Sequence, residues 1–125
     1  MIKNLIIAGG IAAMALTAGS AFAGECSEDQ EATAGMLAAG VGKAAVSKVI
    51  AVTGKQMVNI SSCDFRAGSY IVDFKYNFLA ADGLYWVELN AKFDGTGGNA
   101  TTKVNKASPN MAAAEAKAGV KLASN

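Results

Sequence analysis

Between Ser69 and Asp94 the chain alternates apolar and polar residues almost without a break, in two runs separated by Asp82-Gly83. A period of two marks a strand buried on one face, and Asp-Gly between two such runs predicts a hairpin closed by a two-residue type I′ turn. Counting outward from Asp82 and Gly83 sets Ala81 against Leu84, Phe78 against Val87, Tyr76 against Leu89, Phe74 against Ala91 and Val72 against Phe93. The last four pairs share one face, and Ala81 with Leu84 falls on the other. The other face carries Asn77 against Glu88, Lys75 against Asn90, Asp73 against Lys92, and an apolar misfit, Leu79 against Trp86. A slip of one residue would exchange the two faces, so the pattern specifies the register.

Upstream, Ser27 to Gly54 reads as a helix with both ends marked. Ser27 is a cap with Gln30 at the capping-box position, Glu28, Asp29 and Glu31 place negative charge on the first turn, and Gly54 is a stop signal. Lys43 and Lys48 are the only charges between Ala32 and Val52, so the polar stripe is thin and the helix should be covered on more than one side. One sector carries Gly35, Ala38, Ala39, Gly42, Ala45, Val46 and Val49, mostly small, whereas the hairpin's apolar face offers Tyr70, Phe74, Tyr76, Phe78 and Phe93. Small against large predicts that these two faces interdigitate. Gly35, Gly40 and Gly42 each weaken a helix by about 1 kcal/mol relative to Ala. Either close approach offsets that loss, or the helix is kinked or divided near Gly40. A second stripe, Met36, Val41, Ile50 and Val52, is readable as a homodimer contact.

Lys55 to Arg66 alternates as a strand that leads through Ala67-Gly68 into the hairpin, and Gly95 to Gly98 is a loop before a weaker edge strand, Asn99 to Lys106. Ser108-Pro109 has the composition of a cap and first helical position, and Asn110 to Leu122 is either a short helix or a flexible tail. The expected fold class is α+β: one N-terminal helix packed on a four-stranded antiparallel meander. That architecture resembles the cystatin-like folds, in which a curved sheet wraps a helix. Gln56-Met57-Val58 resembles the start of the cystatin inhibitory pattern Q-x-V-x-G, but Ile60 stands where that pattern has glycine, so no inhibitory site is carried over.

The first 23 residues change the compartment. Lys3, the apolar run Leu5 to Leu16 and the small-residue end Ala21-Phe22-Ala23 form a secretory signal peptide with cleavage before Gly24. Glu25 before Cys26 does not suit a lipid-acceptor cysteine, so no stable membrane anchor is expected after processing. Residues 24–108 then form a single domain and 109–125 a terminal helix or tail, in a periplasmic or extracellular setting. With Lys3 set aside, ten Lys and Arg stand against ten Asp and Glu, so no overall charge draws the chain to nucleic acid. Two cysteines in an exported chain, Cys26 and Cys63, predict one disulfide.

The sequence contains no histidine, which removes the Ser-His-Asp and Cys-His arrangements and histidine metal sites. Cross-strand charge pairing accounts for the hairpin carboxylates, and Asp94-Gly-Thr-Gly-Gly-Asn99 offers one carboxylate where a calcium loop uses several. No catalytic residue, metal site or cofactor is expected. Trp86, Leu79 and Tyr85 are the candidate binding residues, for a protein partner or a small apolar ligand. The expected function is a non-enzymatic binding or interaction module. The alternatives are a ligand carrier or enzyme using a cavity between helix and sheet, with the Tyr70 or Tyr76 hydroxyl as donor, or a structural assembly subunit.

Overall fold

The computed structural model describes residues 3–7 and 24–122, so most of the expected leader lies outside the described residues. The elements are β1 (Lys3–Ile7), β2 (Gly24–Glu25), α1 (Glu28–Val46), β3 (Gln56–Arg66), β4 (Ser69–Ala80), β5 (Gly83–Asp94), β6 (Thr101–Ala107) and α2 (Met111–Ala118). The protein is α+β, with α1 followed by the antiparallel meander β3 to β6 and a short C-terminal helix. Two short strands extend the free side of β3: β1 pairs with Gln56 to Ile60, and β2 with Asp64 and Phe65.

Both hairpin strands alternate as expected, with Tyr70, Val72, Phe74, Tyr76 and Phe78 of β4 and Tyr85, Val87, Leu89, Ala91 and Phe93 of β5 buried on the inner face. Their register differs by two residues from the count through Asp82-Gly83. Ala80 pairs with Gly83, which leaves Ala81 and Asp82 as the turn, and the two strands match end to end from Ser69↔Asp94 onward. Ala81 and Asp82 keep negative φ while Gly83 takes φ 141°, so the turn is not type I′. The type I′ signature sits one hairpin earlier, at Ala67 (φ 51°) and Gly68 (φ 82°). A shift of two preserves both faces, and alternation therefore cannot distinguish the two registers. Aromatic pairing does: the observed register stacks Phe78 on Tyr85, ring centroids 5.6 Å apart, and sets Tyr70 beside Phe93 at 5.7 Å.

Helix α1 starts as expected. The Gln30 N–H donates to Ser27 Oγ at 3.2 Å and the Ser27 N–H to Gln30 Oε1 at 2.9 Å, a capping box of about 1 kcal/mol. It runs unbroken through Gly40 but stops at Val46, eight positions before the expected stop at Gly54. Ser47 ends it, its backbone N–H and hydroxyl both donating to the Lys43 carbonyl at 2.9 and 2.6 Å. The segment that follows is recruited by the sheet instead: the Thr53 and Gly54 N–H groups donate to the Leu79 carbonyl.

The small sector of α1 lies on the aromatic inner face, as its composition predicts. A Cβ placed on Gly42 would meet the Tyr76 ring at 2.7, 2.9 and 3.0 Å, so the ring rests on bare backbone. The Tyr76 hydroxyl donates to Gln56 Oε1 at 2.6 Å, which pins the ring from its far end. Burial raises its pKa above the usual tyrosine value. Met36 is exposed, whereas Val41 is buried and Ile50 and Val52 pack against the core, so these four do not form one outward stripe. Met111 is fully buried in the same core and holds α2, whose end is marked by Gly119 in the left-handed region, φ 73°.

The Cys26–Cys63 disulfide is formed across a sequence separation of 37. It joins the start of α1 to β3, beside the bond from the Cys26 N–H to the Cys63 carbonyl at 3.1 Å. Closing a loop of that length restricts the unfolded chain by about 3 to 4 kcal/mol on the entropic account.

Candidate functional site

Alternation directs Ile71, Asp73, Lys75, Asn77 and Leu79 of β4, with Leu84, Trp86, Glu88, Asn90 and Lys92 of β5, to the side of the sheet away from α1. From the hairpin tip inward the cross-strand pairs are Leu79↔Leu84, Asn77↔Trp86, Lys75↔Glu88, Asp73↔Asn90 and Ile71↔Lys92. The face therefore grades from apolar to polar. Leu79 and Leu84 are 38% and 59% exposed, and Trp86 is half-buried beside them.

The expected site is thus divided. Leu79 and Trp86 share the outer face, although Trp86 faces Asn77 and not Leu79, a consequence of the two-residue register difference. Tyr85 lies on the opposite side. It is buried to 4% exposure, stacks on Phe78, and donates its hydroxyl to the Asp82 carboxylate at 2.9 and 3.0 Å. That bond, followed by burial, raises the Tyr85 pKa and ties the residue to the turn. Leu84 takes its place on the outer face.

A second feature was not legible as a site. The β3–β4 register breaks between Ile60 and Ser62, and the β5–β6 register between Glu88 and Leu89, leaving Ser61 and Asn105 as extra residues. Both breaks lie at the level of the paired residues Phe74 and Leu89, one on each flank of the central hairpin. Bulges bend a strand and re-aim its side chains. Here they border an open basin of about 510 Å³ lined by Asn59, Ser61, Asp73, Lys75, Glu88 and Asn105. The consecutive serines 61 and 62, which interrupt the alternation of β3, are the sequence trace of one bulge.

The groups around this basin hold one another in place. Asp73 accepts from Asn90 Nδ2 and Ser62 Oγ, each at 2.8 Å, and Asn77 Nδ2 donates to Asn59 Oδ1 at 2.8 Å and to the Met57 carbonyl at 3.2 Å. The Lys75 ammonium sits 4.4 Å from the Trp86 ring centroid, a cation–π contact that joins the apolar end of the face to the basin. Such a surface is built to hold a shape and offer donors, acceptors and one aromatic plane.

Chemistry elsewhere is already engaged. Asp94 Oδ1 accepts from the Thr96 N–H and hydroxyl and the Gly98 N–H, and Oδ2 from Asn99 Nδ2. The Thr96 hydroxyl and backbone bonds lead in lowering its pKa to about 2. This carboxylate organises the β5–β6 loop. On the inner side the Tyr70 hydroxyl is hydrogen-bonded with Thr33 and that of Tyr76 with Gln56, so both donors proposed for an internal pocket have partners. An open groove of about 420 Å³ runs along α1, bordered by Met36, Gly40, Lys48 and Thr96. Among the described residues no helix is long and apolar enough to cross a membrane.

Comparison with protein-family models, curated proteins and solved structures gives no match. The functional reading rests on the geometry of the chain itself.

Proposed function

We propose that this chain is an exported, non-enzymatic binding module whose contact surface is the outer face of the sheet, centred on Trp86. The observation that carries the reading is the continuous row from Leu79 and Leu84 through Trp86 and Lys75 to the basin. Aromatic and apolar anchors bordered by satisfied polar groups have the composition of an interface hot spot. The partner is a protein surface or a small ligand that places an apolar group on Trp86 and polar groups in the basin. The disulfide supports an oxidising compartment, as expected for export.

The test is Trp86→Ala with a photo-crosslinker carried at Leu84, expressed in the producing cell. A discrete adduct seen with Trp86 intact should be lost in the variant, because truncating a hot spot costs about 2 kcal/mol or more, roughly thirtyfold in affinity. The melting temperature should fall by only a few degrees. A large loss of stability would place Trp86 in the core, and adduct formation indifferent to Trp86 would remove it from the interface.

A further inference from the structure

The sheet has two outer edges of opposite character. On β6 the exposed edge carries Lys103 and Lys106 with the bulge residue Asn105 between them, and both charge and bulge discourage further strand pairing. On β3 the run Gln56 to Ile60, QMVNI, ends before the Ser61 bulge and has neither charge nor proline. Nothing in that sequence blocks an added strand.

The β3 edge is closed in two pieces. β2 pairs with Asp64 and Phe65 and is anchored by the adjacent disulfide, whereas β1 pairs with Gln56 to Ile60. The expected cleavage before Gly24 passes between these pieces: it keeps β2 and removes β1. Val58 and Ile60, both fully shielded, are the residues β1 pairs beside, and β1 also contacts α1. Its removal leaves the β1-facing backbone groups of this five-residue window unpaired at an apolar rim, while those facing β4 stay bonded.

We infer that leader removal converts Gln56–Ile60 into a strand-acceptor edge, and that its occupant in the processed protein is the same segment of a second copy. The inference rests on the export reading above. Antiparallel pairing about a two-fold axis at Val58 sets Val58 against Val58, Gln56 against Ile60, and Met57 against Asn59. An isologous contact requires that self-complementarity, and no like charges meet in it. The window is bounded on one side by the Ser61 bulge and β2, and on the other by Gly54, so the pairing has one natural register. The two outer faces then join into one sheet surface carrying two Trp86 sites.

The processed protein is recovered after export and its N-terminus determined by mass. Its association is then followed by sedimentation velocity from about 1 μM to 1 mM, the range suited to so small an interface. A product beginning at Gly24 that forms dimers as concentration rises is the expected result. A product still carrying Met1 overturns both readings, because β1 then closes the edge permanently. A product beginning at Gly24 that stays monomeric overturns the dimer alone. Register is tested with the double variants Met57→Lys/Asn59→Lys and Met57→Glu/Asn59→Glu. Each alone should weaken the dimer by about tenfold or more, and mixing the two should restore it. Equal dimerisation of all forms overturns the proposed axis. Hydrogen exchange on the unmutated protein gives an independent readout: amides within 56–60 should gain protection with concentration, and unchanged exchange while dimers form would place the contact elsewhere.

Discussion

Gly40 and Gly42 lie two positions apart on α1, yet the same substitution should have unequal effects at the two. Replacing either by Ala improves helix propensity by about 1 kcal/mol. At Gly40 nothing lies within 4 Å of the added Cβ, so Gly40→Ala should realise that gain. At Gly42 the Cβ would fall 2.7 Å from the Tyr76 ring, well inside contact distance, and the ring cannot swing away without breaking its 2.6 Å bond to Gln56. Overpacking of this kind costs about 1 to 3 kcal/mol. The helix term is common to both variants and cancels in their difference, which isolates the packing cost. Urea unfolding should therefore place Gly42→Ala about 1 to 3 kcal/mol below Gly40→Ala at equal m-value, a separation of roughly 4 to 20 °C in melting temperature for a domain of this size. Two variants of equal stability would refute the packing of Tyr76 on backbone. Tyr76→Leu provides the cross-check: with the ring gone, Gly42→Ala should lose most of its penalty.

Two further outcomes follow from the turns. Ala67 adopts φ 51° in the type I′ turn, a conformation Asn tolerates better than Ala, so Ala67→Asn should raise stability by about 0.5 to 1 kcal/mol in urea unfolding; an unchanged or lower midpoint would contradict the turn assignment. Asp94 is held at about 2 against an ordinary 3.8 by bonds led by Thr96. The folded pKa is depressed, so its contribution is complete above the unfolded value and disappears as pH falls from about 4 through about 2. The stability gap between wild type and Asp94→Asn should consequently narrow between about pH 6 and pH 2, and a gap independent of pH would remove the carboxylate from the loop's stability.

The inner and outer faces of the hairpin were legible because burial on one side of a strand imposes a period of two. The capping box at Ser27 and the match of a small-residue helix to an aromatic sheet face were legible for similarly local reasons. The hairpin register was not, because a displacement of two leaves every residue on its own face and only the cross-strand partners change. Asp82-Gly83 pointed to the wrong pair of turn residues, while the less conspicuous Ala67-Gly68 adopted the type I′ conformation. The end of α1 was also misplaced: Gly54 is a strong local stop, but Ser47 closes the helix on Lys43 and the sheet claims Thr53 and Gly54 through the Leu79 carbonyl.

The candidate site divides along the same line. A tryptophan and a leucine on the solvent side of an alternating strand could be read from spacing alone, and by that same alternation Tyr85 faces inward. The basin could not, since it depends on two bulges in separate strands coming to one level of the sheet. Periodicity and composition determined the fold class, the two faces and the cysteine pair, because each depends on short-range pattern or simple counting. Register, helix length, the basin and the closing of the β3 edge by two separate short strands were decided by the tertiary structure, because each depends on which backbone groups find partners across strands far apart in sequence.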